Sequence, residues 1–273
     1  MKVKNYKIFR YKTDFKPKVI YLEVKILKVP YTLEVAVYDH KRPNTSFYAR
    51  KEDFSKPTKT FYEINLPLVN DEISLALFSR DAKQNIDEYV KIIRLELKEM
   101  DYQRPKFDPE TENFVKFIQD FAMQAGYLPA NYKFKLDDDG KYEIHYLPYI
   151  PTDDGGIHVT PARIHVSENF IEVSKLHFER KPVPRRIAIL LHEMAHNFIN
   201  VDQDDEEEAD ANAAKIYLAL GFPKSEFLYA FSKAFKTYSD EQFEKLMSNP
   251  SWYRNYETNV RRLAKTYEIL KNN

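Results

Sequence analysis

The stretch Leu191-His192-Glu193-Met194-Ala195-His196-Asn197 holds one unbroken His-Glu-x-x-His pattern, in a segment without Gly or Pro that is typical of a helix. Residues four positions apart share a helix face, so the imidazoles of His192 and His196 are expected to project together. Two neutral imidazoles at this spacing can bind one zinc ion, and Glu193 is a candidate general base. A chance occurrence in a buried helix is disfavoured, because the chain has only seven histidines.

A third ligand for this site is predicted on the helix that follows. A catalytic zinc ion takes three protein ligands, and the chain has no cysteine, so this ligand must be His, Asp or Glu. The acidic stretch 202–210 contains Glu206, Glu207 and Glu208 and leads into a helical segment at 211–220. Glu206 alone of the three shares a helix face with Ala209, Asp210, Ala213 and Tyr217. Glu206 is therefore the predicted ligand, and the alternative is a solvated acidic loop that faces the helix dipole.

With these residues the sequence resembles the gluzincin metallopeptidases, over about residues 130–220. The pattern from His192 to His196 matches their first motif, and Glu206-Glu207-Glu208-Ala209-Asp210 is similar to the Glu-x-x-Ala-Asp form of their second. The resemblance implies zinc ligation by His192, His196 and Glu206, with Glu193 as general base on zinc-bound water. It also implies that Asp210 fixes the tautomer of a ligand histidine. Residues 162–166 would match the strand that pairs with extended substrate.

Residues 1–100 predict an antiparallel β-sandwich that binds or docks a partner. Five segments alternate polar and apolar residues at the period of a strand, and proline-containing turns separate them; the segments are 19–29, 33–38, 61–66, 73–78 and 90–97. About seven strands with regular breaks are typical of a sandwich. A polar, proline-bearing linker is predicted at 101–109.

Residues 110–273 predict a zincin-like α+β metallopeptidase domain, so the whole chain is expected to be α+β. Its expected elements are a helix from Pro109 to about Ala122, a hairpin at 132–146 with an Asp-Gly turn, short strands at 162–166 and 170–174, and the metal helix opened by Pro182 and Pro184. Helical patterns follow at 227–238, 241–247 and 253–270.

The formal charge is zero overall but unevenly distributed. Residues 1–106 hold 22 Lys and Arg against 15 Asp and Glu, whereas residues 107–273 hold 20 against 27. The basic half is interpreted as a solvated surface or as a docking surface for an acidic partner or for nucleic acid. Nucleic-acid binding is disfavoured, because no basic stripe with regular aromatic residues is present. No signal peptide and no apolar run long enough for a membrane span is found, which predicts the cytoplasm of a cell or of an infected host.

The predicted function is that of a zinc-dependent endopeptidase acting on a protein or peptide substrate. The alternative is a structural or assembly protein, such as a component of a phage virion, that retains a zinc-binding zincin fold with little turnover. An intact Glu193 favours the enzyme, because zinc binding alone does not require it. Candidate donors to the oxyanion are Tyr217, Tyr253, Arg254 and Tyr256.

Overall fold

The computed structural model describes most of the chain in two compact units. The described residues are 5–81, 83–135, 142–152, 154–165, 167–168 and 170–235, with residues 262, 265, 266, 268, 270 and 271 of the C-terminal segment. The units are Met1–Arg104 and Pro105–Asn273, here called the N-terminal and C-terminal units. The division lies inside the linker predicted at 101–109. Together the elements make a mixed α+β protein with several antiparallel sheets.

The N-terminal unit consists mainly of antiparallel strands. Its described elements are β1 (Tyr6–Lys12), β2 (Lys18–Ile26), β3 (Tyr31–Asp39), β4 (Ser46–Phe54), β5 (Lys59–Leu66), β6 (Glu72–Ser79), α1 (Ile86–Tyr89) and β7 (Val90–Glu99). One sheet has the order β1-β6-β3-β4 and the other the order β5-β2-β7. The five predicted strand segments are confirmed as β2, β3, β5, β6 and β7. Two further strands, β1 and β4, and the short helix α1 were not singled out from the sequence.

Side-chain alternation explains these strands. In β3, every second side chain from Tyr31 to Asp39 is buried and the side chains between them are partly exposed. This period of two puts one face of the strand on the core. In β1 the alternation is between exposed and partly exposed side chains, because β1 lies at the end of its sheet. Its sequence pattern is accordingly weaker than that of β3.

The C-terminal unit combines one mixed sheet with helices. Its described elements are α2 (Pro109–Gln124), β8 (Tyr132–Lys135), β9 (Glu143–Leu147), β10 (Ala162–His165), β11 (Phe170–Ser174), α3 (Lys175–Phe178), α4 (Val183–Phe198), α5 (Glu206–Ala219) and α6 (Lys224–Phe235). The sheet has the order β10-β11-β9-β8, with β9 and β11 parallel and the other pairs antiparallel. The predicted hairpin is confirmed by β8 and β9, and its Asp-Gly turn at 137–140 lies outside the described residues.

Helix α4 is the central element of this unit. It contacts α2, α5, α6 and the end strand β10. Buried Arg186 of α4 donates hydrogen bonds to the carbonyl oxygen of Ala122 (2.7 Å) near the end of α2 and to that of Glu179, the residue that caps α3. A cation near helix C-termini is favourable, because the carbonyl groups there carry negative partial charge. Burial lowers the pKa of Arg186 to about 10, so the guanidinium stays charged at neutral pH.

The C-terminal part differs in detail from the sequence prediction. The helix predicted at 227–238 is α6 (Lys224–Phe235), which starts three residues earlier, and residues 236–238 lie outside the described residues. The helix predicted at 241–247 lies outside the described residues. In the segment predicted as helical at 253–270, the described residues 262, 265, 266, 268 and 270 are helical. Among the described helices, none has both the length and the apolar character needed to cross a membrane.

Candidate metal centre

The candidate centre lies between α4 and α5. Pro182 precedes α4, and Pro184 is accommodated in its first turn, where a proline lacks no needed hydrogen bond. Helix α5 was expected to begin near residue 211 but begins at Glu206. The carboxylate of Asp205 explains this start, because it accepts hydrogen bonds from the backbone N–H groups of Glu207 (2.8 Å) and Glu208 (3.0 Å). The early start makes Glu206 the first residue of the helix.

The three predicted ligands converge on one point. The Nε2 atoms of His192 and His196 are 3.2 Å apart, and Oε2 of Glu206 lies 3.2 Å from the first and 3.7 Å from the second. Two ligands at about 2.0–2.1 Å from a tetrahedral zinc ion are about 3.3 Å apart. Within the part of the chain that the structure describes, these three residues form a group that could hold a metal ion.

An ion-pair contact and a hydrogen bond orient the two imidazoles toward this point. Nδ1 of His192 lies 2.9 Å from Oδ1 of Asp210, and Nδ1 of His196 lies 2.7 Å from the carbonyl oxygen of Gln203. A carbonyl oxygen has no proton to donate, and neither has the carboxylate of Asp210 when it is ionised. The proton in each contact is therefore on Nδ1 of the imidazole. The lone pair of each neutral ring is then on Nε2, which faces the other ligands. Asp210 has the position predicted for it, whereas the carbonyl of Gln203 was not foreseen.

The three consecutive glutamates have separate contacts. Glu206 faces the histidines. Glu207 forms an ion pair with Lys265 of the C-terminal segment (2.6 Å). Glu208 accepts hydrogen bonds from the backbone N–H groups of Val201 and Asp202 in the loop between the helices. The structure therefore brings Glu206, and neither of its neighbours, to the two histidines.

Small buried side chains allow the two helices to approach each other. Ala195 of α4 and Ala209 and Ala213 of α5 are fully buried. The loop between the helices is tied down at both ends, because Asn200 donates through its amide to the carbonyl oxygen of Asp205 (3.1 Å) and accepts from Asn212 (3.1 Å). A connection of seven residues is thus sufficient to return the chain to the histidines.

Glu193 lies between the histidines and strand β10. The backbone N–H of Ile164 in β10 is close to its carboxylate. Burial raises the pKa of Glu193, and the nearby positive charges of His192 and His196 oppose that shift. A base with a raised pKa holds a proton more readily near neutral pH.

Arg262 belongs to the centre although the sequence did not indicate it. Its Nε and Nη2 atoms donate to the two carboxylate oxygens of Asp210 at 3.0 and 3.1 Å. Nη2 also lies 2.8 Å from Oε2 of Glu206. The signal that could have found it is the need of Asp210, which is buried, for a cationic partner.

The pKa shifts of His192 and Glu206 agree with their close approach. Burial lowers the pKa of His192, but its hydrogen bonds to Asp210 and Glu206 outweigh burial and raise that pKa to about 10. Hydrogen bonds from His192 and His196 hold the pKa of Glu206 well below its ordinary value. The metal-free centre therefore contains tightly paired opposite charges, and a bound cation would replace protons on the imidazoles.

Of the suggested oxyanion donors, Tyr217 is described, and it lies away from the centre. Tyr217 is fully buried in an aromatic cluster with Phe222 and Phe227. It lies 11 residues after Glu206 on α5, which is about 16 Å along a helix axis. Tyr253, Arg254 and Tyr256 lie outside the described residues.

The sequence matches no protein-family model, and it matches no curated protein.

Proposed function

We propose that the protein is a zinc-dependent endopeptidase of the gluzincin type, with a zincin-like C-terminal domain. One observation carries the proposal: His192, His196 and Glu206 present three ligand atoms at separations of 3.2–3.7 Å, as a tetrahedral zinc ion requires. Two neutral imidazoles and one carboxylate are a donor set found in catalytic zinc sites. A bound zinc ion would supply a Lewis acid and lower the pKa of a water molecule.

Glu193 carries the proton in the proposed reaction. Its carboxylate oxygen accepts a proton from the attacking water and then donates it to the nitrogen of the leaving amine. The burial that raises the pKa of Glu193 suits this double role, because the proton must be held between the two steps. His192 and His196 stay neutral as ligands, and Asp210 and the carbonyl of Gln203 hold their rings in place.

Strand β10 is the proposed site for the substrate backbone. Among the described strands it pairs with β11 alone, so its other edge is the proposed site for an extended peptide. The N–H of Ile164 in this strand contacts Glu193, which places the strand beside the proposed base. A peptide that adds to this edge would present its backbone next to Glu193, so the proposed substrate is an unfolded or extended protein segment.

The two sheets of the N-terminal unit are proposed to form a β-sandwich that docks a protein partner. Each sheet contains a strand with alternating burial, which suits a shared core between two sheets. The net charge of +7 over residues 1–106 suits an acidic partner. The proposed location is the cytoplasm of a cell or of an infected host.

The alternative of a structural or assembly protein with a retained zinc site has less support. Holding a zinc ion requires the three ligands and their supporting contacts. A carboxylate that is directed to a strand edge and has a raised pKa adds nothing to that task, although proton transfer needs it.

The test replaces the base without touching the ligands. Glu193→Gln should keep one zinc ion and lose turnover by roughly a hundredfold to ten-thousandfold, the usual contribution of a general base. His196→Ala should lose the metal as well as the activity. Zinc content and cleavage of an unstructured protein are measured together for both variants and wild type. If wild type and Glu193→Gln cleave equally well, the proposed mechanism is wrong.

A further inference from the structure

We propose that Arg262 is a positioning residue of the metal centre, acting through Asp210 to hold His192 ready for zinc. This inference rests on the zinc site of the proposed function. It concerns a residue that lies 52 positions after Asp210 in the chain. The C-terminal segment would thus complete a centre whose ligands are all on α4 and α5.

The contacts form a continuous chain from Arg262 to the ligand atom. Nε and Nη2 of the guanidinium bond side-on to both oxygens of Asp210, at 3.0 and 3.1 Å. The oxygen that accepts from Nη2, Oδ1, is also the one that lies 2.9 Å from Nδ1 of His192. The fork of Arg262 therefore fixes the rotation of the carboxylate that fixes the imidazole ring.

The same guanidinium reaches a ligand directly. Nη2 is 2.8 Å from Oε2 of Glu206, the oxygen that lies nearest the two histidines. Glu206 and Asp210 are four residues apart, so both carboxylates lie on one face of α5 and share one cation. Arg262 thereby sets the spacing of these two carboxylates before a metal ion enters.

Charge balance gives a physical reason for an arginine at this position. The carboxylates of Glu193, Glu206 and Asp210 carry three negative charges when ionised, and a zinc ion supplies two positive charges. One further positive charge makes the centre neutral, and Arg262 supplies it at hydrogen-bonding distance. Asp210 is only 2% exposed, so without Arg262 its charge would be buried with an imidazole as its main partner.

Lys265 offers a matched comparison in the same segment. It lies one turn after Arg262 and pairs with Glu207 of α5 at 2.6 Å, so it too joins the C-terminal segment to α5. Its side chain is about half exposed, and Glu207 does not face the histidines. If Arg262 only docks the segment, its replacement should affect zinc affinity as little as the replacement of Lys265. If Arg262 is a positioning residue, its replacement should have the larger effect.

The experiment measures zinc affinity by competition with a chromophoric chelator, using the metal-free full-length protein. Arg262→Ala should weaken zinc binding roughly 10- to 100-fold, the range for residues that support metal ligands. Arg262→Lys keeps the charge but not the fork, so it should lie between Arg262→Ala and wild type. Lys265→Ala should stay within about threefold of wild type, since exposed pairs contribute little. Circular dichroism of each metal-free variant checks that it is folded.

A double-mutant cycle tests whether Arg262 acts through Asp210. Arg262→Ala should cost less zinc affinity in the Asp210→Asn background than in wild type, because only the contact of Arg262 with Glu206 is then left to lose. Additive losses, or equal losses in Arg262→Ala and Lys265→Ala, would overturn the positioning role while leaving the zinc site in place. If folded Arg262→Ala binds zinc as tightly as wild type, the inference is also wrong. If wild type binds no zinc, the proposed function fails together with this inference.

Discussion

In every ion pair described for the N-terminal unit at least one side chain is exposed, whereas the C-terminal unit also contains pairs in which both side chains are largely buried. In the first, Lys28 and Glu88 form an ion pair at 2.8 Å in which both side chains are 55% exposed. In the second, Asp210 and Arg262 pair at 3.0 Å with side chains 2% and 11% exposed. Both distances are ordinary, so the difference lies in solvent access.

This difference shows where folding includes the cost of removing charged groups from water. Removing charges from water costs several kcal/mol per ion unless partners compensate, whereas exposed pairs contribute little either way. Buried, mutually paired titratable groups are therefore informative about function, and surface pairs are not. In this protein such groups converge at the ends of α4 and α5, where the predicted zinc ligands lie.

The largest effect is expected from Glu206, whose side chain is 50% exposed although it faces the largely buried histidines. Glu206→Gln should lower zinc affinity by more than the roughly 10- to 100-fold typical of residues that only support ligands, because a charged ligand is lost. Glu207→Gln and Glu208→Gln are matched controls of the same chemistry. Their carboxylates contact Lys265 and the loop backbone, so their zinc affinity should stay near that of wild type. A larger loss in either control would show that the ligand assignment is wrong.

A second prediction compares a buried ion pair with an exposed one. Arg185 and Glu226 pair at 2.7 Å with side chains 11% and 1% exposed. Glu226→Ala leaves Arg185 without this carboxylate and should destabilise the C-terminal unit by about 3 kcal/mol. Unfolding in urea, followed by circular dichroism at the helix band, measures the change, since most described helices are in that unit.

Glu88→Ala is the control for that prediction. It removes the exposed partner of Lys28 and should leave the same unfolding transition unchanged. Equal shifts in the two variants would remove the contrast between surface and interior pairs.

The smallest effect is expected from separating the units. A fragment of residues 1–100 should fold alone with the circular dichroism of a β protein, bind no zinc and cleave no protein. Its described strands all pair with one another in antiparallel ladders, so these pairings need no strand from the rest of the chain. A fragment with a helical spectrum would contradict the domain division near residues 101–109.

Local spacing explains what the sequence could predict of the site. His192 and His196 are one helix turn apart, and Glu206 and Asp210 are one turn apart on the next helix, so helix periodicity alone groups them. The start of α5 was predicted too late. The acidic run contains several residues that could cap the helix, and the sequence pattern does not identify Asp205 as the N-cap residue.

Contacts made by the backbone or across long separations could not be predicted in this way. The carbonyl of Gln203 and the N–H of Ile164 are present at almost every residue, so no residue type marks them. Arg262 lies next to Arg261 and 52 positions after its partner Asp210, and the sequence pattern does not fix helix register over such a distance. In the fold, β1 was missed for a similar reason, since its partly exposed alternation gives a weak signal.

The central claim is that His192, His196 and Glu206 bind one zinc ion, and metal analysis with X-ray absorption tests it most directly. Protein purified without added metal and then supplied with zinc should hold one equivalent, with nitrogen and oxygen ligands at about 2.0–2.2 Å. The absorption spectrum should show two imidazole ligands in wild type and lose one in His196→Ala. Zinc below about a tenth of an equivalent with no uptake on addition, or a spectrum without imidazole ligands, would contradict the account.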